Sequence, residues 1–238
     1  MVNYWINFIQ ELFPQSCLLC AKEGKSSICE DCLPSLPYNS DPCPRCGIPL
    51  KSEGDDFVCG SCLSNPPSFD KTIAPLLYRP PIDQLLNQLK HQRKLENAKL
   101  LSQLFLNSLA TRSVRVDALV PIPMHAKRYR QRGFNQSLEI ARHISHRLKI
   151  PIALNLLEAA KHHSHQQGAS KKDRRHNIKG AFQAKDCTDK KISRIALIDD
   201  VITTGATADE AAKTLKQAGI EYVEVWAIAR TPSPGNPE

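Results

Sequence analysis

The chain has 238 residues and a formal net charge of +8, a length that allows one large domain, or one of ordinary size with a small appendage. No apolar run reaches the roughly 18 residues that cross a bilayer. The first residues lack a basic start and carry Asn, Gln and Glu among their apolar positions, so they do not read as a signal peptide, and a cytoplasmic protein without a membrane span is expected.

In chain order, Trp5, Phe8, Ile9 and Leu12 recur at helical spacing opposite Asn7, Gln10 and Glu11. This predicts a short amphipathic helix over 1–14. Its polar face has no lysine or arginine, so it is expected to pack on protein rather than on lipid. Eight of the nine cysteines then form four pairs, Cys17/Cys20, Cys29/Cys32, Cys43/Cys46 and Cys59/Cys62. Cytosolic thiols stay reduced, so C-x-x-C units there favour metal over disulfide. Two such turns complete a closed tetrahedral shell with no water position, which is a structural site. Eight ligands suit two zinc ions and a double zinc ribbon over 15–66. The spacings permit pairing in sequence order or interleaved, and iron–sulfur ligation is the competing chemistry.

Asn65-Pro-Pro-Ser is the expected linker, followed by a main domain over 67–230. Lys71 to Tyr78 reads as a strand interrupted at Pro75, hence an edge or a bend. Residues 82–109 show helical periodicity in two segments around a polar break at 91–97. On these helices Lys90 and Arg93 read as a solvated face, with a base-binding hood as the alternative. Val116 to Pro123 is the next strand. From Pro121 to Gly180, thirteen Lys/Arg stand against three Asp/Glu, and seven of the eight histidines lie there too. That concentration points to an anionic partner. Within it, His125 to Gln136 reads as a cationic loop suited to a pyrophosphate, with an exposed basic turn as the plainer reading, and Ser137 to Lys149 reads as helix. Residues 161–179 lack apolar periodicity and are expected to form a mobile loop. Its histidines are a soluble tract rather than a metal site.

The stretch Ile195-Ala-Leu-Ile-Asp-Asp-Val-Ile-Thr-Thr-Gly-Ala-Thr207 carries the chemistry. Four apolar residues predict a buried strand over 195–198, with Asp199 and Asp200 at its carboxyl end, where open α/β sheets bind ligands. Adjacent carboxylates accept the vicinal hydroxyls of a ribose. Thr203, Thr204, Gly205, Ala206 and Thr207 then form a hydroxyl-rich turn whose amides suit a phosphate. Thr207-Ala-Asp-Glu210 has the pattern of a capping box opening a helix. The same acids could instead be a solvated strand end or a phosphoacceptor pocket, but neither explains the threonine and glycine turn. Tyr222 to Ala229 is a last strand, and 231–238 a Pro/Gly-rich tail expected to be disordered.

The 195–207 stretch resembles the phosphoribosyl pyrophosphate (PRPP) motif of type I phosphoribosyltransferases. It is preceded in order by the cysteine knuckles, Val120-Pro-Ile-Pro leading to Arg132-Gly-Phe-Asn-Gln136, and the loop from Gln166 through Arg174-Arg-His-Asn177 to Phe182. Together these are similar to the ComF family of competence-associated proteins, in which a zinc finger precedes a type I phosphoribosyltransferase domain. The resemblance implies an α/β fold with a parallel sheet flanked by helices behind the cysteine-rich unit. It implies Mg²⁺ with PRPP held by Asp199, Asp200 and residues 203–207, the two acids being catalytic if the protein is an enzyme. Arg132, Asn135, Arg174 and Arg175 become candidates for contact with pyrophosphate or DNA. It further implies a role in natural transformation, with single-stranded DNA as a partner and a competence helicase as a candidate protein partner. Two other functions fit the same residues: a non-catalytic nucleic-acid-binding scaffold on this fold, and a phosphoribosyltransferase of gluconate or nucleotide metabolism.

Overall fold

The computed structural model describes residues 15–24, 27–50, 57–160, 178–185 and 192–232. The helix expected over 1–14, the loop over 161–177, Cys187 and residues 233–238 lie outside this set. The described elements are β1 (Gln15–Ser16), β2 (Glu23–Gly24), α1 (Gly60–Ser64), β3 (Lys71–Ile73), β4 (Leu76–Leu77), α2 (Ile82–Gln92), α3 (Glu96–Leu109) and β5 (Ala118–Pro121). They continue with α4 (Ala126–Arg132), α5 (Gln136–Leu148), β6 (Leu157–Ala159), β7 (Phe182–Ala184), β8 (Arg194–Ile202), α6 (Ala206–Gln217) and β9 (Tyr222–Arg230).

The main sheet runs β3-β9-β8-β5, all neighbours parallel, with β4 continuing β3 along β9 beyond Pro75. A parallel strand in the middle of such a sheet is covered on both faces, and its sequence is accordingly apolar without a break. In β8, Ala196 and Ile198 enter the core under α2, α3 and α5, while Ile195 and Leu197 enter the core under α6. β9 divides in the same way, Trp226 and Ile228 to one side and Val223, Val225 and Ala227 to the other. Trp226 is fully buried and packs its ring 5.6 Å from that of Phe105 on α3.

β8 is longer than the expected 195–198. It runs on through both carboxylates to Ile202, because Asp199, Val201 and Ile202 keep their pairing with Ala227, Ala229 and Arg230 of β9. Hydrogen bonding to a long neighbour outweighs the local preference of two acids for a strand end. A second difference lies at 126–132, read as a loop and found as the short helix α4. The His125 ring accepts from the Lys127 amide to cap it, and Gly133 closes it at φ 85°.

The cysteine-rich segment docks on the open edge of the sheet. The Leu77 amide donates to Pro37 O (2.7 Å), and the Asn39 amide to Pro75 O (2.8 Å). The Asn39 side chain donates to Gly47 O (2.8 Å) and Ala74 O (3.0 Å), while the Thr72 hydroxyl donates to Arg45 O (2.5 Å). These bonds occupy the β3–β4 edge that would otherwise be left for a foreign strand. Gly47 is the tightest point of this contact: it sits at φ +69°, and a Cβ there would lie 2.8 Å from Thr72 Cγ2. We expect Gly47→Ala to destabilise the protein by about 1–3 kcal/mol, from the left-handed backbone and the overlap together. Urea unfolding of variant and wild type measures it.

Candidate functional site

Two groups of four cysteines are assembled, Cys17/Cys20/Cys29/Cys32 and Cys43/Cys46/Cys59/Cys62, the thiol sulfurs of each lying within 4.8 Å of one another. Pairing therefore follows sequence order, which the spacings alone leave open. The two groups are built alike. The amides of Ala21 and Gly47 donate to the carbonyls of Cys17 and Cys43 (both 2.8 Å), and those of Cys17 and Cys43 to Lys22 O and Ile48 O (both 2.8 Å). The Cys29 and Cys59 amides donate to the sulfurs of Cys17 and Cys43 (both 3.4 Å). Four thiolates with amide–sulfur bonds leave no open coordination position, so these are two structural zinc-binding sites.

The acid pair lies at the carboxyl end of β8, between α2 and α5. Asp200 is 4% exposed, and its Oδ2 is ion-paired with Lys90 of α2. Its Oδ1 accepts from Gln136 Nε2 (3.1 Å), and Gln136 Oε1 in turn accepts from Arg132 Nη1 (2.5 Å). Asp199 Oδ1 accepts from the Ser137 hydroxyl (3.2 Å) and the Asp200 amide (2.8 Å). Burial, and then the charge of Asp200, push the Asp199 carboxyl up to about 8. Burial lowers the Arg132 guanidinium against the attraction of Asp200. The site thus holds two unlike carboxyls: Asp200 engaged by Lys90, and Asp199 raised by burial and by the neighbouring charge. Both oxygen pairs suit hydroxyl donors or a cation.

Beyond β8 the chain turns through Thr203, Thr204 and Gly205 into α6. Thr203 is exposed, the Thr204 hydroxyl accepts from the Ala206 amide (3.3 Å), and Gly205 adopts φ +81°. Only a residue without Cβ takes this conformation at little cost. The predicted capping box does not form. The helix starts at Ala206, one residue before Thr207, with Gly205 as its cap. The acids of that pattern serve neighbouring segments instead: Asp209 accepts from the Ser68 amide (2.6 Å) and Glu210 from the Gly180 amide (2.6 Å). Ala206 and Thr207 form the first turn of a 12-residue helix, whose free amides and dipole favour an anion.

Of the candidates for contact with pyrophosphate or DNA, Arg132 reaches the acid pair through Gln136. Asn135 is committed at both ends of its amide, accepting from Ser137 N (3.0 Å) and donating to Ile122 O (3.0 Å), so it shapes the entry to α5. Arg174 and Arg175 lie outside the described residues. Lys90 is the residue that sequence reading misplaces. On its own helix it looks solvated, and only the packing of α2 beside β8 brings it to Asp200. Arg93, which caps the end of α2, packs over Gly133 at the end of α4, its guanidinium 3.1 Å from where a Cβ there would lie.

Residues 8–63 match the double zinc ribbon domain. The chain is 35% identical over 218 residues to competence protein F of Haemophilus influenzae, which covers 88% of this chain and 92% of that protein. It is 31% identical over 226 residues to DNA utilization protein YhgH of Salmonella typhimurium, covering 92% and 98% respectively. Among solved structures, orotate phosphoribosyltransferase from Aeropyrum pernix shares 16% identity at a TM-score of 0.35, over 57% of this chain and 60% of that one.

The Asp199 carboxyl gives a pH dependence of known sign. Its folded-state value is raised from 3.8 to about 8, so the stability linked to its proton is complete below the unfolded value and is lost as pH rises through the folded one. Asp199→Asn lacks this linkage. Without divalent cations, urea midpoints measured from pH 5.5 to 8.5 should fall with pH more steeply for wild type than for the variant.

Proposed function

The chain belongs to the family of competence protein F and its DNA utilization relatives, and from that premise we propose that it binds PRPP with Mg²⁺ in the handling of incoming single-stranded DNA. The observation that carries the PRPP reading is the adjacency of three parts at the carboxyl end of one strand. Asp199 and Asp200 lie on β8, the 203–205 turn follows at once, and Lys90 and Arg132 stand beside Asp200.

Each part answers one part of the ligand. The carboxylates accept the two ribose hydroxyls, which compete with Lys90 for Asp200. The turn amides, the threonine hydroxyls and the first turn of α6 take the 5′-phosphate. Lys90 and Arg132 supply positive charge for the diphosphate. Mg²⁺ is bound in such sites through one or two carboxylates together with phosphate oxygens and water, and the Asp199/Asp200 pair fits that arrangement. When bound, it would neutralise diphosphate charge. In a transfer reaction the same contacts would hold the diphosphate while the bond to ribose C1 breaks and positive charge spreads over the ring.

A specific observation favours contact with single-stranded DNA as well. No residue of α4 is buried, and the helix presents Lys127, Arg128 and Arg130 with Tyr129 half exposed. Cations interleaved with an aromatic ring suit a backbone and its unstacked bases.

Two measurements test these readings separately. In calorimetric titration, wild type should bind PRPP–Mg²⁺ saturably, and Asp199→Asn/Asp200→Asn should abolish that binding while leaving a labelled oligonucleotide bound. Absence of PRPP binding in wild type would overturn the first reading. Arg128→Ala/Arg130→Ala should leave PRPP binding intact and weaken oligonucleotide anisotropy. It should also reduce the log–log salt slope by about 1.4, the value for two lost phosphate contacts on a single strand. An unchanged slope would remove α4 from the DNA surface.

A further inference from the structure

Arg230, the last residue of β9, is 4% exposed, and its side chain donates to four main-chain carbonyls. Its Nε donates to Cys46 O (3.0 Å), inside the second zinc site. Its Nη1 donates to Ile202 O (3.0 Å), to Thr203 O, and to Thr231 O (2.9 Å). Ile202 ends β8 and Thr203 opens the turn that leads to Gly205. One planar, buried fork therefore spans two segments far apart in sequence: a zinc knuckle and the proposed phosphate turn.

The chemistry favours an arginine there. A buried guanidinium is tolerated only where its charge is answered, and carbonyl dipoles answer it in part. Four thiolates around one divalent zinc leave a net negative charge, and Cys46 is one of those four ligands. The second zinc site is thus both a mechanical anchor and the nearest compensating charge. Lysine would keep the charge but lose the rigid fork that reaches both sides at once.

We propose that Arg230 is a positioning residue that transmits the integrity of the Cys43/Cys46/Cys59/Cys62 site to the 203–207 turn, so that this zinc site holds the turn in shape for its ligand. In its ligand this inference rests on the PRPP reading above; in its mechanics it does not. Among the described residues the first zinc site has no such link, since the hydrogen bonds of Arg230 reach none of 15–24 or 27–32. The two sites are therefore unequal: loss of the second disturbs the turn, and loss of the first leaves it alone.

Hydrogen exchange on the full, zinc-loaded chain tests this without any ligand. Arg230→Lys should retain two zinc ions per chain, yet raise amide exchange across 203–207 by about tenfold or more, the scale of losing a buried charge-assisted bond. Exchange across 136–144 of α5 should stay as in wild type. Unchanged exchange across 203–207 would overturn the proposal. Should Arg230→Lys fail to fold, Cys59→Ser and Cys29→Ser decide it: faster exchange at the turn in the first alone supports the link, and equal effects or none in both overturn it. In a parallel titration, Arg230→Lys should weaken PRPP–Mg²⁺ about tenfold. If zinc-loaded wild type itself fails to bind PRPP, the PRPP reading falls, while the exchange comparison still decides the role of Arg230.

Discussion

A strand buried on both faces has no place for charge along its length, so whatever polar chemistry it carries must gather at its end. β8 obeys this constraint to the point of conflict. It stays hydrogen-bonded to β9 through two consecutive aspartates, and each carboxyl finds a different remedy. Asp200 is met by Lys90 and Gln136, while Asp199 accepts from Ser137 and the following amide and has its carboxyl raised by burial. The helices that supply these partners are positioned by the core beneath them, so the polarity at the strand end depends on the packing of Trp226, Phe105 and Ile140. Burying one strand fully thus determines which helices must face its end.

The zinc ribbon solves a different problem of the same sheet. Its strands are short, and β3 and β4 would expose unpaired backbone to solvent. The cysteine-rich segment has little apolar core of its own and depends on metal to fold. Joined, the two cover each other's weak side: the ribbon closes the edge, and the edge gives the ribbon a rigid wall. Asn39 shows how close this joint is, with one buried amide bonding the ribbon at Gly47 and the strand at Ala74.

Much of this was legible in the residues. The apolar run at 195–198, the threonine and glycine turn, and the four C-x-x-C pairs are local patterns, and local patterns survive folding. Interruption of the first main-domain strand at Pro75 and the division of 82–109 into two helices were equally local. The parts that escaped reading depend on contacts between distant segments. Lys90 reads as solvated because helical periodicity describes one helix and says nothing of its neighbour. The capping box at Thr207 failed because Asp209 and Glu210 were claimed by Ser68 and Gly180. Arg230 carried no signal, since an arginine ending a strand is ordinary until the carbonyls around it are seen. The pairing of the cysteines needed the fold of the knuckles themselves.

The matching hydrogen bonds of the two knuckle units make them repeats of one backbone turn. Both turns place a residue with positive φ after their second cysteine, Ala21 at 59° and Gly47 at 69°. The second turn is wedged against Thr72, where a Cβ would overlap, while the first carries an alanine in the same backbone conformation. One turn geometry thus serves twice under different constraints: beside the sheet edge the space left over dictates the residue, and in the first unit a side chain is accommodated.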